Sequence, residues 1–247
     1  MAINEEIKEQ TDKFKDMTGK QKLDYIWTYY KWWIIGALAI IYIIVSVFKT
    51  VVRNSTPVYL SAVFLNSTLG DNASFCTLSD EFIEKYGVDS SAYDISMDYS
   101  IYLDDNYGNQ ASYAGQVKVI SMYSAETIDI LCGPEKILSG AADVGGYGNL
   151  SEILPEGMLD KIIAKGYEPY YYTEKIRDAS ADPDDEDAYT EGETYIGGIY
   201  IDNCKKLVGD DSSCVYSDLG DERWVVAIAW NTTNLDHAIE FLEFITE

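Results

Sequence analysis

Residues Trp32 to Phe48 form a run of seventeen residues without a single charge. Extended through Thr50, Val51 and Val52 the run reaches twenty-one residues, with Lys49 as its one charge. An α-helix rises ~1.5 Å per residue, so about twenty residues cross the ~30 Å hydrocarbon core of a bilayer. A helix packed on a soluble core needs one apolar stripe, not apolar residues on every side. The run therefore predicts a transmembrane helix over residues 32–52. A cleavable signal peptide is excluded by length and position, since such segments carry roughly 7–15 apolar residues near the N-terminus and a small-residue cleavage site. An uncleaved signal anchor fits better.

Basic residues flanking the run set its orientation. Lys8, Lys13, Lys15, Lys20, Lys22 and Lys31 precede it, while only Lys49 and Arg53 follow before Lys85. The N-terminus is thus expected in the cytoplasm and the C-terminal part outside, in the cell membrane of a bacterium, with the bilayer itself as first partner. Six of the 42 acidic residues precede the run, leaving 36 beyond Arg53 against ten Lys and Arg, a formal charge of −26 for the exported part. So acidic a domain excludes nucleic acid and anionic lipid as partners. Tyr25, Trp27, Tyr29, Tyr30, Trp32 and Trp33 crowd the cytoplasmic end of the run. Trp27, Trp32 and Trp33 are the candidate membrane-interface residues, because amphipathic rings settle at headgroup level; packing on a partner helix is the competing reading.

The chain divides by this logic into a cytoplasmic amphipathic segment (1–31), the signal-anchor helix (32–52) and an extracytoplasmic α/β domain (54–247) with an acidic loop at 178–193. In the first segment Ile3, Ile7, Phe14 and Met17 stand near helical spacing. Thr18 and Gln21 have the capping-box spacing that starts a second helix. About thirty residues without a phosphate-binding loop make no enzyme.

Beyond the anchor, segments of strand and helix character alternate. Val58–Leu65 is rich in β-branched and aromatic residues and reads as a buried strand. Thr77-Leu-Ser-Asp80 reads as a capping box opening a helix in which Leu78, Phe82 and Tyr86 share a face, stopped by Gly87. A strand over Tyr93–Leu103, a turn at Asp104–Gly108 and a helix over 111–127, facing inward through Val117, Ile120 and Tyr123 or Ser124, come next. Ile128–Cys132 reads as a short buried strand closed by Gly133-Pro134, and Leu150–Lys165 as two helical turns around Pro155. Strands at Tyr167–Ile176, Thr194–Ile201 and Trp224–Trp230 lead to a final helix at Asn234–Ile245. Such alternation predicts a mixed α/β sheet with parallel pairs.

This order resembles the first lobe of the extracellular solute-binding proteins of ABC transporters, the periplasmic-binding-protein fold. Ala125-Glu-Thr-Ile-Asp129-Ile-Leu, a helix, and then Gly148-Asn-Leu-Ser-Glu-Ile-Leu-Pro155 are similar to that family's third strand and the stretch after it. Trp224–Trp230 followed by Asp236–Phe244 is similar to its return strand and closing helix. The family inserts a second lobe between third strand and return strand, with the ligand held between lobes. Here about sixty residues, 167–223, fill that place. The resemblance therefore implies a reduced, single-lobed and membrane-anchored variant.

Four cysteines, Cys76, Cys132, Cys204 and Cys214, all follow the anchor. Outside the reducing cytoplasm they permit disulfides, and Cys204 with Cys214 is the candidate pair because the two bracket a short polar loop. Cys132, in an apolar strand, is expected as a buried thiol. No Cys-x-x-Cys or His cluster announces a metal site. The acids at 182, 184, 186 and 193 fall on places 1, 3, 5 and 12 of a calcium loop, but Asp187 stands where the loop requires glycine. A solvated acidic loop is the default, and neither a metal nor a cofactor is expected. The one histidine, His237, has no matching nucleophile signature, so no catalytic residue is named and the chain is read as a non-enzyme.

Tyrosines gather around the acidic loop: Tyr167, Tyr170, Tyr171, Tyr172, Tyr189, Tyr195 and Tyr200. Strand propensity accounts for most of them. Tyr147, Tyr170, Tyr172 and Trp230, at strand ends and turns, are the candidate ligand-binding residues. The function expected is a tethered extracytoplasmic binding module beside a membrane transporter or other surface protein. The alternative is an accessory or assembly subunit that contacts partner proteins without binding a small molecule.

Overall fold

A computed structural model describes residues 18–54, 56–70, 74, 76–104, 110–141, 146–177, 189–209, 215–216 and 221–247. The chain divides into two compact units, Met1–Thr56 and Pro57–Glu247.

In the first unit, helix α1 runs over Gly19–Asn54, 36 residues. It begins one residue after Thr18, where the capping spacing places it. From Trp32 to Ser46 every side chain is exposed, among them Leu38, Ile41 and Ile44 at 60%, 56% and 60%. Among the described residues no helix is long and apolar enough to cross a membrane. The continuously described side chains of α1 run only from Lys31 to Ser46, and those at 47–52 lie outside the described residues. The span expected over 32–52 is therefore not supported by them.

The second unit is a mixed α/β domain around one six-stranded sheet in the order β2-β1-β3-β6-β5-β4. Strands β1 (Val58–Phe64), β2 (Asp94–Asp98) and β3 (Ile130–Pro134) pair in parallel; β6 (Trp224–Ile228), β5 (Tyr189–Tyr200) and β4 (Pro169–Arg177) continue antiparallel. The middle of the sheet is covered on both faces, which is why β1, β3 and β6 read as near-continuous apolar runs. On one face Leu60, Phe64, Ile130, Val226 and Ile228 meet Leu78 and Phe82 of α2 (Leu78–Tyr86) and Phe241 and Phe244 of α7 (Leu235–Ile245). On the other, Val63, Leu131, Val225 and Ala227 meet Val119 and Tyr123 of α3 (Gln110–Ser124) and Leu138 of α4 (Glu135–Ala141). Short helices α5 (Leu150–Ile153) and α6 (Met158–Ala164) flank Pro155 as expected.

Asp129, 1% exposed, ties this frame together. Its carboxylate accepts from the Ser61 amide at 2.7 Å, the Thr232 hydroxyl at 2.5 Å and the Asn234 amide nitrogen at 3.2 and 3.3 Å. A buried carboxylate persists only when its lone pairs are satisfied, and here they join β1, the start of β3 and the entry to α7.

Three expectations are corrected. Thr77 makes no side-chain cap to α2; its hydroxyl donates to Glu81 Oε1 at 2.7 Å instead, although Gly87, at φ 64°, does stop the helix. The strand expected over Tyr93–Leu103 ends at Asp98, because the Asp98 carboxylate turns back to the Ser100 amide at 2.9 Å. Helix α3 buries Ser112, Gly115, Val119 and Tyr123, leaving Val117 and Ile120 exposed. The small residues win the inner face because the backbone approaches so closely: a Cβ at Gly115 would stand 2.6 Å from the Tyr102 carbonyl oxygen. The Asp104–Gly108 turn and most of the acidic loop, 178–188, lie outside the described residues.

Candidate ligand-binding site

The β4–β5 hairpin carries the site. Side chains alternate across a strand, so Tyr172, Glu174 and Ile176 share one face of β4, and Glu193 and Tyr195 share the matching face of β5. Pairing sets Tyr172 opposite Tyr195, ring centroids 5.6 Å apart at 75°. Gly197 makes room behind them, since a Cβ there would lie 2.8 Å from Tyr172 Cβ and 3.4 Å from Tyr147 Cβ.

The second wall is the turn Gly146–Asn149. Tyr147 bridges Ala229 just beyond β6, which brings Trp230 alongside the turn. Gly146 has φ 77°, and a Cβ on it would meet Trp230 Cδ1 at 3.8 Å and the Tyr172 hydroxyl at 3.9 Å. Between hairpin and turn lies a groove of about 630 Å³, lined also by Glu152 and Ile153 of α5. That volume falls within the roughly 300–1,000 Å³ of small-molecule sites.

The groove's charge is lopsided. Among the described residues, Glu152, Glu174 and Glu193 line it against Lys175 alone. Glu152 Oε1 accepts from the Asn149 side-chain amide at 3.1 Å. The Tyr195 hydroxyl donates to the Tyr147 carbonyl at 2.8 Å and approaches Glu174 Oε1 at 3.4 Å. Burial, and then the charge of Glu174, push the Tyr195 hydroxyl well above its ordinary pKa.

No family model matches this chain, nor does any curated protein or solved structure.

Of the four residues named from sequence, Tyr147, Tyr172 and Trp230 line the groove and Tyr170 does not. Their parts differ. Trp230 is 62% exposed and Tyr172 only 7%. Tyr147, at 1%, spends its hydroxyl on the Leu138 carbonyl at 2.6 Å, so its backbone, not its phenol, serves the site. Tyr170 lies deeper along β4, edge-on to Tyr200 at 5.8 Å, and burial pushes its hydroxyl to about 12. Glu174 and Lys175 escaped the sequence reading, which noted Tyr195 only as one of the clustered tyrosines and Glu193 only as an acid of the calcium-loop pattern. Their signal is the alternation of Tyr172-x-Glu174 and Glu193-x-Tyr195, which becomes a site only once the two strands are paired.

The remaining candidates lie elsewhere. Cys204 is buried and its thiol donates to the Ile245 carbonyl at 3.1 Å; Cys214 lies outside the described residues. Cys132 is an unbridged buried thiol whose pKa burial raises. Trp27, Trp32 and Trp33 are 63%, 74% and 79% exposed on α1. His237 stacks on Tyr59 at 3.6 Å, with Nδ1 2.8 Å from the Tyr59 carbonyl, an arrangement that fixes α7 on β1. Of the proposed calcium loop only Glu191 and Glu193, with Tyr189, Thr190 and Gly192, are described, and they are strand residues of β5.

Proposed function

We propose that this chain is a membrane-anchored binding module whose extracytoplasmic domain takes a small solute in the groove between the β4–β5 hairpin and the Gly146–Asn149 turn. The groove carries this reading: it is concave, framed by aromatic rings, and of small-molecule size. The sheet order supports kinship with a solute-binding lobe. Parallel β2-β1-β3 is followed by β6 returning antiparallel beside β3. Where the resembled family inserts a second lobe, this chain adds β4 and β5 to the same sheet, so the ligand sits against a hairpin instead of between lobes.

Anchoring is supported by α1. Exposed Ile, Leu and Val side chains all round a helix are costly in water and favourable in lipid, and the basic residues on its N-terminal side support a cytoplasmic location for that end. An accessory-subunit role is the second reading, favoured by one observation. Tyr113, Val117 and Ile120 form an exposed stripe on α3, at 64%, 46% and 42%.

Thermal melting of the chain against amines, amino acids, sugars and peptides separates the two. A ligand at ~100 times its dissociation constant adds ~2.7 kcal/mol and raises the melting temperature by several degrees. One responsive chemical class supports solute binding. A flat panel from a folded protein sinks it and leaves the docking role.

A further inference from the structure

We infer that the groove selects an organic cation, an ammonium or guanidinium group on a partly apolar body. This rests on the groove being the binding site. Three carboxylates arrive from three elements, Glu152 from α5, Glu174 from β4 and Glu193 from β5, against Lys175. An anion would meet a net negative wall. A neutral ligand would leave three like charges facing one another across a space it has emptied of water, whereas a cation offsets them.

The aromatic frame argues for the same chemistry. Trp230, the best ring for holding a cation on its face, keeps most of its surface open at the rim. Tyr172 Oη and the Trp230 edge converge on Gly146, each within 4 Å of the point where a Cβ would stand. Trp230 and the three carboxylates line the same groove, so a ligand there meets both an indole and negative charge. Ile153 and Ile176 supply the apolar side of the groove, which fits a carbon body in preference to a bare metal ion. Burial raises the pKa of the Tyr195 hydroxyl most, and the negative charges of Glu174 and, to a smaller extent, Glu193 add to that rise.

Isothermal titration of the full chain in mild detergent at 150 mM salt, with phenethylamine and agmatine as probes, tests this; N-acetylphenethylamine and maltose are the neutral controls. Both amines should bind, and the acetylated compound at least tenfold more weakly. W230A and the double variant E174Q/E193Q should each weaken amine binding tenfold or more, while W230F, which keeps a ring, loses less than W230A. Melting of each variant at the wild-type temperature excludes misfolding. Diffuse attraction to an acidic protein would survive W230A, and that outcome overturns the proposal. Maltose or the acetylated probe binding through Trp230 while the amines fail would overturn the cation alone and leave the groove as the site. Silence from every probe overturns both.

Discussion

The centre of the sheet and its β5–β4 edge have opposite compositions. The strands β1, β3 and β6 bury nearly every side chain and carry no charged residue. Strands β4 and β5 carry Glu174, Lys175, Arg177, Glu191 and Glu193, and Lys175 and Ile176 of β4 and Tyr189 to Glu191 of β5 are exposed. Both regions use the same backbone ladder, so hydrogen bonding does not distinguish them. Packing does: the central strands are pressed between helices, whereas the hairpin reaches past that cover. Stability should therefore concentrate in the centre, and solvent-facing chemistry in the hairpin.

The largest test of this contrast is Phe241→Ala. Phe241 is fully buried and meets Phe82 at 5.7 Å, Phe64 at 6.4 Å and Phe244 at 6.2 Å. Truncating such a ring costs about 3–5 kcal/mol, through lost burial and the cavity left behind. A domain of this size should then melt about 6–20 °C lower. A fall of a degree or two would mean that the aromatic cluster is not where stability resides.

Alkaline titration gives a smaller effect and asks where buried tyrosines sit. Burial pushes the hydroxyls of Tyr59, Tyr167 and Tyr170 to about 12. Glu240 adds to the shift at Tyr59, Cys204 at Tyr167 and Glu135 at Tyr170. A raised folded pKa means that the native state holds these protons more tightly than the unfolded chain. Their contribution is complete below the unfolded value of ~10 and is lost as pH climbs through about 12. Urea midpoints should hold steady to pH 9 and drop between pH 10 and 12, with Tyr170→Phe reducing the drop. An unchanged drop in that variant would remove Tyr170 from the set.

How much of this was legible in the sequence follows the same division. Strand β1 could be read directly, because a strand buried on both faces needs no period, only apolar residues. The terminal helix was legible through its 3.6-residue spacing, and Phe241 and Phe244 do much of its packing. Helix α3 misled because burial there follows the close approach allowed by Gly115, and a residue without a side chain has no hydrophobicity to read. In the hairpin, aromatic residues could be picked out one by one, yet Glu174 and Glu193 looked like any other acids in a very acidic domain. What makes them a pair is the register of β4 on β5, which shifts between Thr173 and Lys175 and so cannot be counted off from either strand.

Trp230→Ala is expected to have the smallest effect on stability and is for that reason the sharpest test. The ring is 62% exposed at the rim of the groove. Exposed side chains away from caps, cavities and buried polar groups change stability by no more than about 0.5 kcal/mol when truncated. The melting temperature should move by no more than about 2 °C. A large loss would show that Trp230 belongs to the packed part of the sheet, with Tyr147 and Tyr172, and that the hairpin side of the molecule is not the free surface its composition implies. If stability holds and amine binding is lost, an exposed aromatic side chain is kept for what it contacts from solution, since the fold gains almost nothing from it.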